Sequence, residues 1–168
     1  MKDYSIWVYC ASFFVGGLAF LLNYGPIYSL ALLMFYEGVD GLGWKWILNW
    51  QNLIGSKDKP PKEAVLAYRF LQHGVMIPLL VFGYYFFGWQ APAAPLIMWI
   101  MFAADILYHP ITKSPLPMEW DSNYFNYGFW SGPLGWFHLF AGIDKPMNPW
   151  LLYIQAVISF VLAVYIWV

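Results

Sequence analysis

Charged side chains are scarce in this sequence. Asp, Glu, Lys and Arg make up 10% of its 168 residues, against about 25% in an average soluble domain. So few charges would not cover the surface of a protein dissolved in water. A disordered chain is excluded as well, because disorder requires low hydrophobicity and high charge, whereas 61% of these residues are hydrophobic. The composition predicts an integral membrane protein.

A basic excess and paired cysteines are also missing. The 8 Lys and Arg residues are balanced by 9 Asp and Glu residues, for a net charge of −1, so the basic surface that binds nucleic acid is absent. Cys10 is the only cysteine, which excludes an internal disulfide. Neither a Walker phosphate loop nor an HExxH zinc motif is present. These absences argue against nucleic-acid partners, thiol–disulfide chemistry and P-loop nucleotide binding.

Four apolar stretches are long enough to cross a bilayer, which requires about 20 helical residues. They cover about residues 4–36, 64–89, 92–108 and 149–168. We therefore predict an all-α integral membrane protein, a four-span helical bundle that forms a single transmembrane domain over residues 1–168.

The first stretch is longer than one crossing and is interrupted by Asn-Tyr-Gly-Pro at 23–26. Pro26 has no backbone N–H and Gly25 has low helix propensity, so we expect a break in the helical hydrogen-bond ladder. Two alternatives follow, a long kinked first helix or a span followed by a half-helix. A five-span arrangement would require residues 27–36 to cross alone, and these ten residues are too few.

Basic residues favour one side of the predicted bundle. In the four-span arrangement, seven of the eight lie in or beside two loops on the same face, and Lys2 lies opposite. The seven are Lys45, Lys57, Lys59, Lys62, Arg69, Lys113 and Lys145. Because positive charge marks the cytoplasmic side, we predict that both long loops are cytoplasmic and that the C-terminus lies on the opposite side.

Each of these loops has a distinctive pattern. Residues 43–54 have apolar and polar positions on opposite helical faces, which predicts an amphipathic helix lying in the interface. Residues 111–148 are rich in aromatics and glycine and predict a folded cytoplasmic cap. The cap is either an aromatic belt or a lid over a lipid, quinone, isoprenoid or pigment. Its candidate ligand residues are Trp120, Trp130, Trp136 and His138, together with Arg69 in the second span.

Ionisable residues inside spans are costly and are functional candidates. Arg69 and His73 are four residues apart on one helix, and so are Asp105 and His109. Because the second and third spans form a hairpin, equal counts from its turn place His73 and His109 at similar depth. We therefore predict that His73, Asp105 and His109 converge near the cytoplasmic face, with Arg69 or a histidine as the partner of Asp105.

Several chemistries suit such a cluster. Two histidines and a carboxylate are ligands for Zn, Cu or Fe, or an acid–base pair acting on a lipid. A single histidine also ligates haem or a chlorin. Alternatively, the cluster is a polar network that ties the helices together. No specific motif separates these alternatives.

Two functions are compatible with these features. The first is a subunit of a larger membrane complex of bioenergetic or oxygenase type, or of a homo-oligomer, with a surface for lipid or a hydrophobic ligand. The second is a membrane enzyme that uses His73, Asp105 and His109 for metal or acid–base chemistry on a lipophilic substrate. The abundant aromatic surface favours the first, and the histidine and aspartate spacing favours the second.

Overall fold

The computed structural model describes the backbone of residues 4–53, 62–101, 140 and 149–168, and the side chains of these residues except 44–53, 62–65, 149 and 152. This part of the chain contains no strand. Its helices are α1 (Ser5–Leu22), α2 (Gly25–Leu53), α3 (Lys62–Phe87), α4 (Gln90–Ile100) and α5 (Pro149–Tyr165). The all-α class is therefore confirmed.

The predicted break in the first stretch is confirmed, and it separates two helices rather than kinking one. Asn23 adopts the left-handed conformation, with φ 48° and ψ 47°. The Tyr24 N–H donates to the Ala19 carbonyl and the Asn23 N–H donates to the Phe20 carbonyl, the pairing of a Schellman helix end. Pro26 then lies in the first turn of α2, where a missing N–H costs nothing. The single first helix over residues 4–36 was therefore wrong.

The second helix is longer than the sequence suggested. It runs without interruption through Tyr36 to Leu53 and has 29 residues, or about 44 Å at 1.5 Å per residue. Residues 27–36 are thus part of a helix long enough to cross a bilayer. Residues 43–53 are helical as predicted, but they continue α2 instead of forming a short helix of their own over 43–54; their position at the membrane interface stays a prediction. Apolar positions extend through this segment and allow the helix to continue.

Helices α1 and α2 form an antiparallel hairpin with close backbone contact. A Cβ atom on Gly38 would lie 2.7 Å from the Tyr9 Cα, and one on Gly16 would lie 3.7 Å from the Ala31 Cβ. Small buried residues of α1 face the same seam, namely Ser5, Ser12 and Ala19. Since Gly38 lies beside Tyr9, the first turns of α1 lie beside the middle of α2. The start of α1 and the turn at Asn23 are therefore at opposite ends of this hairpin.

A tight turn joins α3 to α4. Gly88 has φ 84°, a conformation that favours glycine, and its N–H donates to the Tyr84 carbonyl at 3.0 Å. Helix α4 then continues to Ile100. The predicted third span, 92–108, thus begins slightly late, and its residues after 101 lie outside the described part of the chain. The predicted cap over 111–148 also lies outside it, except for Phe140.

Helix α5 returns along α4 and α2. At its start, Gln155 Nε2 donates to the Met101 carbonyl at 3.0 Å. Near the C-terminus, Trp167 Nε1 donates to Ser29 Oγ at 3.3 Å, and Ser29 Oγ donates to the Ala91 carbonyl at 3.0 Å. The bundle therefore has a turn end, which holds Asn23, Gly88 and Trp167, and an opposite loop end.

Among the described residues, two helices are long and apolar enough to cross a membrane, namely α1 and the Leu66–Phe87 part of α3. A shorter apolar helix is found at Tyr153–Tyr165. These lengths and compositions indicate membrane association of a helical protein.

Candidate functional site

A buried carboxylate lies near the middle of α2, where this helix passes α3. Asp40 is 8% exposed, and its Oδ1 atom accepts three hydrogen bonds from α3. The donors are Tyr68 Oη at 2.6 Å, Arg69 Nη1 at 2.9 Å and Gln72 Nε2 at 3.0 Å. We call these four residues the Asp40 cluster. It contains an ion pair together with hydrogen bonds that satisfy the buried charge.

Members of the Asp40 cluster also bond to one another. Arg69 Nη1 also donates to Gln72 Oε1 at 2.6 Å, and the Arg69 guanidinium carbon lies 5.2 Å from the Tyr68 ring centroid. Gln72 therefore both donates to the carboxylate and accepts from the guanidinium. Such a network stabilises the folded protein most where water is excluded, because hydrogen bonds are stronger in an environment of low dielectric constant.

Local sequence explains why α3 reaches this carboxylate. Tyr68, Arg69 and Gln72 are spaced by one and three residues, so they share one side of the helix. Gly43 on α2 leaves room for the Tyr68 ring, because a Cβ atom there would overlap the ring atoms. The absence of a side chain at Gly43 thus allows Tyr68 to lie against α2 and to donate its hydroxyl to Asp40.

Further buried polar groups lie in the same half of the bundle. Glu37, one turn before Asp40, is 2% exposed, and Gln155 and Ser159 of α5 are also buried. The Tyr36 and Trp99 rings, 4.3 Å apart between centroids, connect α2 to α4. Trp99 Nε1 is buried and has no hydrogen-bond acceptor among the described residues. Polar side chains of four helices are therefore buried toward the loop end.

The structure describes two of the predicted site residues. Arg69 is paired with the Asp40 carboxylate, a partner that the sequence analysis did not consider; its predicted pairing with Asp105 stays a prediction. His73 has an exposed side chain, and its Nδ1 lies 2.7 Å from the Arg69 carbonyl oxygen. The other predicted site residues lie outside the part of the chain that the structure describes. They are Asp105 and His109 and the cap residues Trp120, Trp130, Trp136 and His138. Their convergence with His73 stays a prediction.

The sequence analysis missed Asp40 and Glu37 because it ended the first span at Tyr36 and assigned both carboxylates to a loop. A signal was available in their spacing. The two are three residues apart and are followed by further apolar positions, so a continued helix would place both on one face. The choice of helix end therefore decided which acidic residues were considered intramembrane.

Two apolar grooves lie between helices. The first, the α1–α2–α3 groove, has a volume of about 400 Å³ and runs from Tyr9 and Phe35 to Phe20 and Phe82. The second, of about 310 Å³, lies between α2, α4 and α5 near the turn end and includes Trp167 in its lining. Neither groove is lined by a charged side chain, so both are suited to apolar occupants.

The part of the chain that the structure describes contains no cluster of three or more His, Cys, Asp or Glu side chains that could hold a metal ion. Of the metal ligands predicted from the sequence, only His73 lies in this part. The site of His73, Asp105 and His109 therefore stays a prediction. No protein-family model, curated protein or solved structure matches this chain. Function has to be inferred from its own chemistry.

Proposed function

We propose that this chain is a polytopic membrane subunit of a larger membrane complex, with an outer surface that contacts lipid and neighbouring subunits. The observation that carries the proposal is the Asp40 cluster, in which one carboxylate of α2 accepts from three side chains of α3. Polar groups that are satisfied within the bundle hold membrane helices together. This hydrogen-bond network is better suited to holding α2 and α3 together than to acting as a reactive group.

The outer surface supports a membrane environment. Trp7, Phe14 and Leu21 recur every seven residues on α1 and are 71%, 82% and 85% exposed. Large apolar side chains are also exposed on α3 and α5, including Phe70 and Val161. The Asp40 carboxylate is buried inside the bundle, whereas these apolar side chains are on its outside. Lipid or apolar subunits would cover this surface, whereas water would not.

For the topology we propose five crossings instead of four, because α1 and α2 form a hairpin. Helix α4 is about 16 Å long, so its crossing would include residues from the predicted span 92–108. The loop end would be cytoplasmic, since both Lys-rich loops extend from it. The N-terminus would lie on that side and the C-terminus opposite.

The subunit proposal is tested in membranes of the native host. The tagged chain should resist extraction by alkaline carbonate, and in mild detergent it should migrate in an assembly of fixed composition, larger than the 19.5 kDa chain with its detergent. Asp40→Ala should reduce the yield of the assembly, while Cys10→Ser, at an exposed position, should leave it unchanged. A monodisperse monomer from the same membranes would contradict the subunit role.

The second candidate is a membrane enzyme at the loop end. It is favoured by one detail: every hydrogen bond to Asp40 is made at Oδ1, so Oδ2 has no partner among the described residues. A carboxylate with one unoccupied oxygen beside an arginine can accept a proton or orient a polar head group. The predicted participants Asp105, His73 and His109 would complete such a site.

Metal content and a charge-removing variant separate the two candidates. If the protein is a metal enzyme, it should contain a stoichiometric Zn, Cu or Fe ion that is lost in His73→Ala and His109→Ala. If it is an acid–base enzyme, it should convert a membrane lipid, and Asp105→Asn should abolish this activity. In both cases the variants should still fold. The subunit requires Asp105→Asn to lower the yield of folded protein instead. Elemental analysis, lipid mass spectrometry and size-exclusion profiles provide the three measurements.

A further inference from the structure

We propose that the α1–α2–α3 groove is a binding site for one hydrocarbon chain of a bilayer lipid. The proposal rests on the bundle being embedded in a membrane, as proposed above, and adds a defined site and ligand class. The site is separate from the Asp40 cluster, none of whose residues lines the groove.

The length of the groove suits one lipid chain. On α1 it extends from Tyr9 to Phe20, eleven residues or about 16 Å along the helix axis. The hydrocarbon core of a bilayer is about 30 Å thick, so each leaflet contributes about half of that. The groove is therefore about as long as a lipid chain that fills one leaflet. It ends at Phe20, near the turn end, so the head group would lie on that side and the chain would reach past the middle of α1.

The chemistry of the lining excludes a polar ligand from the groove itself. Its walls are mainly aromatic and aliphatic, including Phe13 and Val75. The Ser12 hydroxyl donates to the Tyr9 carbonyl at 2.6 Å, and the Tyr28 hydroxyl donates to the Leu79 carbonyl at 2.9 Å. Since these two donors are already used, the groove offers few hydrogen bonds to replace those that a bound head group would lose on leaving water. A hydrocarbon chain loses nothing in this way.

Two neighbouring glycines shape the floor. A Cβ atom on Gly16 would touch Ala31, but one on Gly17 would meet no atom within 4 Å. The space above Gly17 is therefore a trough along the α1 backbone. Phe13, Phe20, Val75 and Phe82 line the groove and are each more than 40% exposed, so the trough is open at the side. A lipid chain can enter laterally from the bilayer.

The open space above Gly17 allows a direct test. Gly17→Leu should place a side chain in the trough, where its Cβ atom meets nothing within 4 Å, and thus compete with the chain. Gly74→Leu is the matched control, because Gly74 is also a helical glycine with no atom within 4 Å of an added Cβ, but it does not line the groove. Both changes replace glycine by a good helix former.

The three proteins are reconstituted in phosphatidylcholine vesicles that contain a phosphatidylcholine with a diazirine at the middle of one acyl chain. After photolysis, adducts are mapped by peptide mass spectrometry. We expect adducts on the groove-lining residues Phe13 and Phe20 of α1 and Val75 and Phe82 of α3 in the wild type and in Gly74→Leu. In Gly17→Leu these adducts should fall about tenfold, because the leucine displaces methylene groups from the groove. Adducts on exposed Phe14 and Leu21 should persist and report general lipid contact.

Other results would overturn the proposal. Equal adduct yields at the groove in all three proteins would show ordinary surface contact, with no site. Loss of a homodimer in Gly17→Leu, with unchanged adducts, would identify a second copy of the chain as the occupant. Failure of all three proteins to remain in the vesicles after alkaline carbonate would contradict the membrane assignment itself. Thermal unfolding of each protein in detergent verifies that Gly17→Leu is folded.

Discussion

At the scale of single residues, Asp40 explains how this bundle accommodates charge. The carboxylate and the Arg69 guanidinium neutralise each other, and Tyr68 and Gln72 donate the remaining hydrogen bonds to Oδ1. An ion pair of this kind is costly to break but is not required for stability, because apolar side chains of similar volume are often equally stable.

Replacing one partner of the Asp40–Arg69 ion pair is therefore expected to lower the free energy of unfolding more than replacing both. Asp40→Leu should lower the free energy of unfolding by roughly 2–3 kcal/mol, less than for a fully buried pair because the Arg69 side chain is 27% exposed. The double variant Asp40→Leu with Arg69→Met should recover much of that loss. Unfolding of the purified protein by SDS in mixed micelles measures both. Additive losses would contradict a coupled pair.

Glycine positions with different surroundings give a second residue-scale prediction. Gly38→Ala should destabilise the protein by roughly 1–3 kcal/mol, because its Cβ atom would lie 2.7 Å from the backbone of Tyr9. Gly74→Ala should be neutral or stabilising by up to about 1 kcal/mol, since its Cβ atom meets nothing and alanine favours the helix. Melting temperatures in detergent measure both changes. Equal melting temperatures would show that α1 and α2 are not in close contact at Gly38.

At the scale of helices, the reversal between α1 and α2 depends on local backbone chemistry. Asn tolerates the left-handed conformation, and the following Gly25 and Pro26 begin the next helix. Close packing then follows, because small residues on α1 allow the two backbones to approach. Between α3 and α4 the chain direction likewise reverses at a residue with positive φ, Gly88.

Substitution of Asn23 tests this account. Asn23→Val should destabilise the hairpin by about 1–2 kcal/mol, because a β-branched residue at φ 48° is strained, whereas Asn23→Gly should be tolerated. Pro26→Ala should leave the reversal in place, because the Schellman hydrogen bonds at Tyr24 and Asn23 do not involve it. Limited proteolysis and thermal unfolding report the stability of the hairpin. Similar melting temperatures for Asn23→Val and Asn23→Gly would contradict this account.

At the scale of the whole molecule, the order of the helices relates the chain ends to the two faces of the membrane. Gly38 lies beside Tyr9, Gln155 bonds to Met101, and Trp167 bonds to Ser29. The start of α1 and the start of α5 are thus toward the loop end, and the C-terminus is at the turn end. An odd number of crossings follows if each helix contributes to one.

Labelling from each side of sealed vesicles tests the arrangement. In a Cys10→Ser background, cysteines introduced at Ser56 and Ser122 should both react from the cytoplasmic side, together with an N-terminal tag. A C-terminal tag should be accessible only from the opposite side. Membrane-impermeant maleimide and protease protection give the readouts. An N-terminus opposite to the two loops would restore the four-span arrangement.

The sequence by itself determined the helical class and the interruption at 23–26, because composition and backbone restrictions are local properties. It did not determine that α2 continues to Leu53, that Asp40 is the partner of Arg69, or that an apolar groove opens above Gly17. Those features depend on which faces of different helices meet and at what depth. Tertiary packing decided them, since rotation of one helix by a single residue would move Asp40 away from Tyr68 and Gln72.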